Sequence, residues 1–136
     1  MIQIDPQDPG KDILPSVLNW MKLLAEGEYE KACTQLDEPN SYGIVWTPEM
    51  VLHTLHDTFC PETLFVEEHP EGPQFSDPNL IEQGPIVEVF ALDDGTGYAC
   101  DAPVALNGNW SDLTARLEFL YRAGGFAAVL HDLHVL

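Results

Sequence analysis

The sequence predicts an α+β fold in one domain of 136 residues, helices first and an antiparallel sheet after them. Three observations carry this. Before Pro61, apolar residues recur every three or four positions, as one face of a helix requires. From Pro85 onward the period becomes two, the alternation of a strand with one buried face. Between the alternating runs stand Asp93-Asp94-Gly95-Thr96-Gly97, Asn107-Gly108-Asn109 and Ala123-Gly124-Gly125. Their Gly, Asn and Asp accept the positive φ of tight turns. A run of helices followed by a run of strands implies helices packed on one face of a sheet.

Residues 1–11 are polar, with two prolines and a glycine, and read as a loose lead-in. Ile13, Val17, Trp20, Met21 and Leu24 then follow helical spacing over 12–25. Pro15 is tolerated only in a first turn, so the helix is expected to start near Leu14. Gly27 stops it. A second helix over 28–36 aligns Tyr29, Ala32, Cys33 and Leu36. Tyr42 to Trp46 reads as a short strand or a cavity wall. Thr47 as N-cap, Pro48 at the first helical position and Glu49 near the positive end mark a third helix, closed by Cys60-Pro61. Its apolar face is Val51, Leu52, Leu55 and Phe59. Residues 61–84 form a long acidic, proline-rich connection, of the kind that is often functional or mobile. Strands are expected over 86–92, 98–106, 113–121 and 126–136, with Pro103 marking an edge or a bulge.

The charge is lopsided. The chain carries 5 basic and 23 acidic side chains, a net charge of -18, and no Lys or Arg between Ala32 and Ala115. Such a field repels phosphates, nucleic acid and anionic membrane, and favours basic proteins, cations or neutral ligands. It is also a solvation strategy of salt-adapted organisms. Many of the acids fall in expected loops and turns: Asp37-Glu38, the 62–82 segment and Asp93-Asp94. They form an acidic rim around an ordinary core. No stretch approaches the roughly 20 apolar residues of a membrane span, and the N-terminus has no signal-peptide pattern. Cys33, Cys60 and Cys100 are odd in number and far apart, which suits reduced thiols and a cytoplasmic location. There the Asn109-Trp110-Ser111 sequon would meet no glycosylation machinery.

No compact catalytic or metal motif stands out. Trp46, His53, His56, Tyr98, Asp101 and His134 are the candidates to line a pocket between helices and sheet, because aromatics with polar tips and convergent titratable groups suit such sites. His53 and His56 share a helix face, while His131 and His134, three apart on a strand, are expected on opposite faces. A His/His/Asp site would need Asp57 or Asp132 to join them. The spacing argues against it, and no metal is expected. Asp93 to Gly97 lacks the oxygen alternation and distant Glu of a calcium loop. Ser111-Asp112 has no base nearby. Asn107, Trp110, Ser111, Asp112 and Thr114 are read as a structured corner, with amide and hydroxyls satisfying the loop backbone and Trp110 packing over the sheet. No cofactor is expected, since Gly-rich phosphate motifs and basic–aromatic interleaving are absent.

Helices followed by a meander ending in an apolar hairpin resembles the cystatin-like cone of the nuclear transport factor two superfamily, which includes ketosteroid isomerases and polyketide cyclases. The resemblance covers residues 12–136 and implies helices on a curved sheet, a pocket, and a homodimer through the sheet. The stretch from Pro103 through Asn107-Gly108-Asn109-Trp110-Ser111-Asp112 to Ala115, with Leu130-His131-Asp132-Leu133-His134-Val135-Leu136, resembles the C-terminal signature of an uncharacterised bacterial protein family. That family brings no activity. Two function classes follow. The first is a non-enzymatic interaction module whose acidic surface engages a basic protein partner, as an immunity-type inhibitor of a toxin does. The alternative is a small-molecule-binding or isomerase/cyclase-type pocket protein.

Overall fold

The computed structural model describes residues 1–59, 68–84 and 87–135. Their order is three helices, a short 3-10 turn and four strands: α1 (Pro9–Ala25), α2 (Tyr29–Thr34), α3 (Pro48–Thr58), the turn Pro78–Leu80, β1 (Glu88–Ala91), β2 (Gly97–Leu106), β3 (Asn109–Arg122) and β4 (Gly125–Val135). The strands form one open antiparallel sheet in the order β1-β2-β3-β4. The α+β class follows directly. The expected helix end at Cys60-Pro61, the start of the 61–84 connection, Ile86 and Leu136 lie outside the described residues.

The five apolar residues that set the period of α1 are its buried residues. The helix nevertheless starts at Pro9, not near Leu14, with Pro15 inside it. Pro9 already supplies the first-turn proline that the helix start favours. Asp12 accepts the Asp5 N–H at 2.8 Å and draws the preceding chain onto the first turn. The lead-in is tied rather than loose. Ile2 exchanges two backbone hydrogen bonds with Phe126, and Ile4 is buried. α2 is shorter than 28–36 but buries Ala32 as its spacing requires. Thr47 caps α3 by accepting the Met50 N–H at 3.3 Å.

One hydrophobic core joins these helices to one sheet face. Ile13, Val17 and Leu24 of α1 and Val51 and Leu55 of α3 cluster with Cys100, Leu113, Leu117, Phe119 and Leu130. Leu113, Ala115, Leu117 and Phe119 of β3 face the core, and from Ala115 on burial alternates along the strand. Arg116 and Glu118 between them are only partly covered.

Tyr42 to Trp46 is not a strand. It belongs to a strap, residues 37–46, along the outer edge of β4. Asp37 gives its N–H to the Ala128 carbonyl at 2.7 Å and accepts the Ala128 N–H at 2.8 Å. Asn40 donates to the His131 carbonyl at 3.0 Å, while its Oδ1 accepts the N–H groups of Tyr42 and Ile44. The Trp46 indole donates to the Leu130 carbonyl at 2.9 Å. An edge strand left bare would offer these groups to another chain.

Asn107 and Gly108 alone make the β2–β3 turn, with φ of 52° and 84°. Asn-Gly is the sequence that a two-residue hairpin turn favours. β3 therefore starts at Asn109, and the expected corner is largely strand: Trp110, Ser111, Asp112 and Thr114 are β3 residues. Ser111 still serves the backbone. Its hydroxyl donates to the Val104 carbonyl at 2.7 Å and accepts the Leu113 N–H at 3.2 Å, beside the register shift between Pro103 and Ala105. That shift is the irregularity expected at Pro103, whose missing N–H cannot join a ladder.

Candidate functional site

The sheet face opposite the core carries the chemistry. Cross-strand pairing sets Glu88, Asp101, Arg116 and Asp132 side by side, one from each strand. One guanidinium thus stands in a row with three carboxylates. Arg116 donates from Nε and Nη2 to the two oxygens of Asp101 at 2.7 and 2.6 Å, a bidentate fork, and its guanidinium lies over the Phe90 ring at 5.2 Å. Hydrogen bonding from Arg116 holds the Asp101 carboxyl below its ordinary range, and the same bond raises Arg116. The neighbouring row is Pro103, Thr114 and His134. His134 shares a hydrogen bond with Asp132 through Nδ1.

Where this face meets the segment before β1 there is a groove of about 470 Å3, lined by Gln83, Glu88, Asp101, Pro103, Trp110 and Thr114 among others. The Trp110 indole forms its wall and is fixed there by donating Nε1–H to the Gln83 carbonyl at 2.8 Å. Two further clefts adjoin the same indole. One of about 370 Å3 contains His69, Ser111 and Asp112, and one of about 500 Å3 contains Leu80, Glu82 and Asn109. On the helix side, the cleft between Trp20, Leu36, Leu117 and Phe119 holds only about 10 Å3.

The six candidate pocket residues are not brought together. Asp101 lines the groove and His134 lies beside it, paired in register with the groove residue Thr114. Trp46 is committed to the β4 edge. His53 and His56 are exposed on α3. Tyr98 sits at the far end of β2, its ring 5.8 Å from Phe126, in a separate cleft with Tyr121. Of the residues read as a corner, Trp110 and Thr114 line the groove, and Asn107 braces the 71–74 segment by accepting the Gln74 N–H at 2.8 Å and donating to Glu71 at 2.9 Å.

His131 and His134 do not fall on opposite faces. A bulge in β4 sets Leu130 opposite Leu117 and Asp132 opposite Arg116, leaving His131 as the extra residue. One inserted residue resets the parity of a strand. His131 then lies with its Nδ1 3.5 Å from Glu118, on the outer face, and its ring 5.5 Å from Tyr42. Among the described residues no group of three His, Cys, Asp or Glu side chains is placed to hold a metal ion. Cys100 is fully buried, which pushes its thiol up to about 12. Cys33 is half-buried and raised as well, first by burial and then by Glu49.

Sequence reasoning passed over Arg116, Gln83, Glu88 and Asn40. Arg116 had a signal, being the first basic residue after the long gap and lying on the polar side of an alternating strand. Gln83 acts through its carbonyl, which no side-chain pattern announces. No protein family, curated protein or solved structure matches this chain. Among the described residues no helix is long and apolar enough to cross a membrane.

Proposed function

We propose that this protein is a non-enzymatic interaction module whose acidic surface engages a basic protein partner, in the manner of an immunity-type inhibitor, on a cystatin-like scaffold. One observation carries the reading. Four of the five basic side chains are already held by acids of the same chain: Lys11 by Asp5, Lys31 by Glu28, Arg116 by Asp101 and Arg122 by Glu38. The excess carboxylates are left to act outward, and such a field speeds encounter with a basic surface. The helix-first order and a core on one sheet face support the cystatin-like scaffold. The same acidity weighs against a homodimer through the sheet, because each copy would present three carboxylates per Arg116 to the other.

A small-molecule pocket of the isomerase/cyclase type ranks second. Its best place is the groove at Trp110, with Asp101 in the wall. Asp101, however, is ion-paired and held ionised, whereas a carboxyl poised to exchange protons near neutral pH needs a raised pKa. The test is capture of the partner at low ionic strength, followed by association kinetics of the purified pair across a salt series. The expected result is a basic partner whose association slows about tenfold or more as salt screens the charges. Salt-indifferent association, or a partner without basic character, contradicts the reading.

A further inference from the structure

We infer that the surface centred on Trp110 is where the basic partner docks, with its arginine or lysine side chains entering the clefts on either side of the indole. This rests on the reading above and adds a place and a mode of contact to it.

Three adjoining clefts converge on one aromatic ring. The centre is apolar: the Trp110 ring, Pro103, and Leu80, which is 82% exposed. The rim is acidic. Glu68, Glu82, Glu88, Asp101 and Asp112 line the three clefts, and no Lys or Arg is among the described residues lining them. Arg116 neutralises Asp101, while the other four acids are in no ion pair with described residues. An apolar centre inside a polar rim is how protein interfaces are built, and tryptophan is enriched at their energetic centres. Lysine and arginine fit this arrangement in both parts. Their aliphatic stems lie along apolar walls while the charged head reaches the carboxylates, and the cation gains further by lying over an indole face. Because Gln83 already holds the ring, little side-chain freedom remains to be lost on docking.

Titration of the whole protein with a nona-arginine peptide at about 0.1 M salt, where charges more than about 10 Å apart are largely screened, tests this. In the unmutated protein the Trp110 indole N–H resonance is expected to shift, while that of the buried Trp20 stays in place. The Glu82→Lys/Glu88→Lys double variant alters two exposed side chains and is expected to bind at least about tenfold more weakly. The Asp8→Lys/Asp93→Lys variant makes the same change in net charge at two residues that line none of the three clefts, Asp93 in the β1–β2 turn at the other end of the sheet. Asp93 there lies roughly 25 Å from Trp110 along β2, and this variant is expected to bind within about twofold of the unmutated protein. Equal weakening in both variants, or a stationary Trp110 resonance despite binding, overturns the docking site and leaves the acidic-surface reading standing. Absence of binding by the unmutated protein overturns both. A thermal melt of each variant separates loss of binding from loss of fold.

Discussion

At the scale of single residues, the Asp101–Arg116 fork is the most consequential contact. It joins β2 to β3 in the middle of the outer face and sets the local charge that any ligand meets. Asp101 is held below its ordinary value of 3.8 by the hydrogen bonds from Arg116. A depressed folded-state pKa stabilises the fold wherever the carboxylate is ionised in both states, that is, above about the unfolded value. The contribution declines as pH falls from there through the depressed value, and is gone once the folded carboxyl is protonated. Asp101→Asn is therefore expected to lower the melting temperature at neutral pH and to narrow its gap to the unmutated protein as the pH falls below about 4. A gap of constant size across that range would mean that packing, not ionisation, is what the substitution removes. The residue was legible as a sheet carboxylate, but its face was not, because strand parity has no meaning until register is fixed. Asn40 was hidden for a different reason. It reads as the end of a helix, yet its value lies in three hydrogen bonds, one of them to a residue 91 positions away.

At the scale of elements, hydrophobic period and turn chemistry located α1, α2, α3 and the four strands, and for these the errors sit at boundaries. α1 is the instructive one. Treating Pro15 as a first-turn residue moved the start to Leu14, but the helix runs from Pro9 and keeps Pro15 as an exposed interior residue. There the ring removes a backbone donor and crowds the carbonyl of Lys11. Pro15→Ala is thus expected to raise stability by about 1–3 kcal/mol in denaturant titration. A helix starting at Leu14 would make the same change nearly neutral, so the measurement separates the two boundaries. The β4 bulge was likewise out of reach. Nothing in Leu130-His131-Asp132 marks an extra residue, and that one residue decides which face both histidines share.

At the scale of the whole molecule, the feature that dominates the sequence also dominates the surface. The acids lie mostly outside the core, and four of the five cations are spent on partners within the chain, so a net charge of -18 acts on the molecule itself as well as on others. Self-repulsion of that size disfavours the compact state. Raising sodium chloride toward molar concentration should therefore raise the melting temperature by several degrees. An unchanged or lower value would show that the acids are too dispersed to strain the fold. The same salt is expected to weaken the proposed association, so stability and binding should move in opposite directions in one titration. The strap along β4 has a consequence of another kind. Residues 37–46 leave the ribosome long before Gly125–Val135, so the cover for the last strand is translated ahead of the strand it covers. A nascent chain built in this order never exposes a finished β4 without its guard already outside the exit tunnel, whereas a rearranged gene that encoded β4 first would.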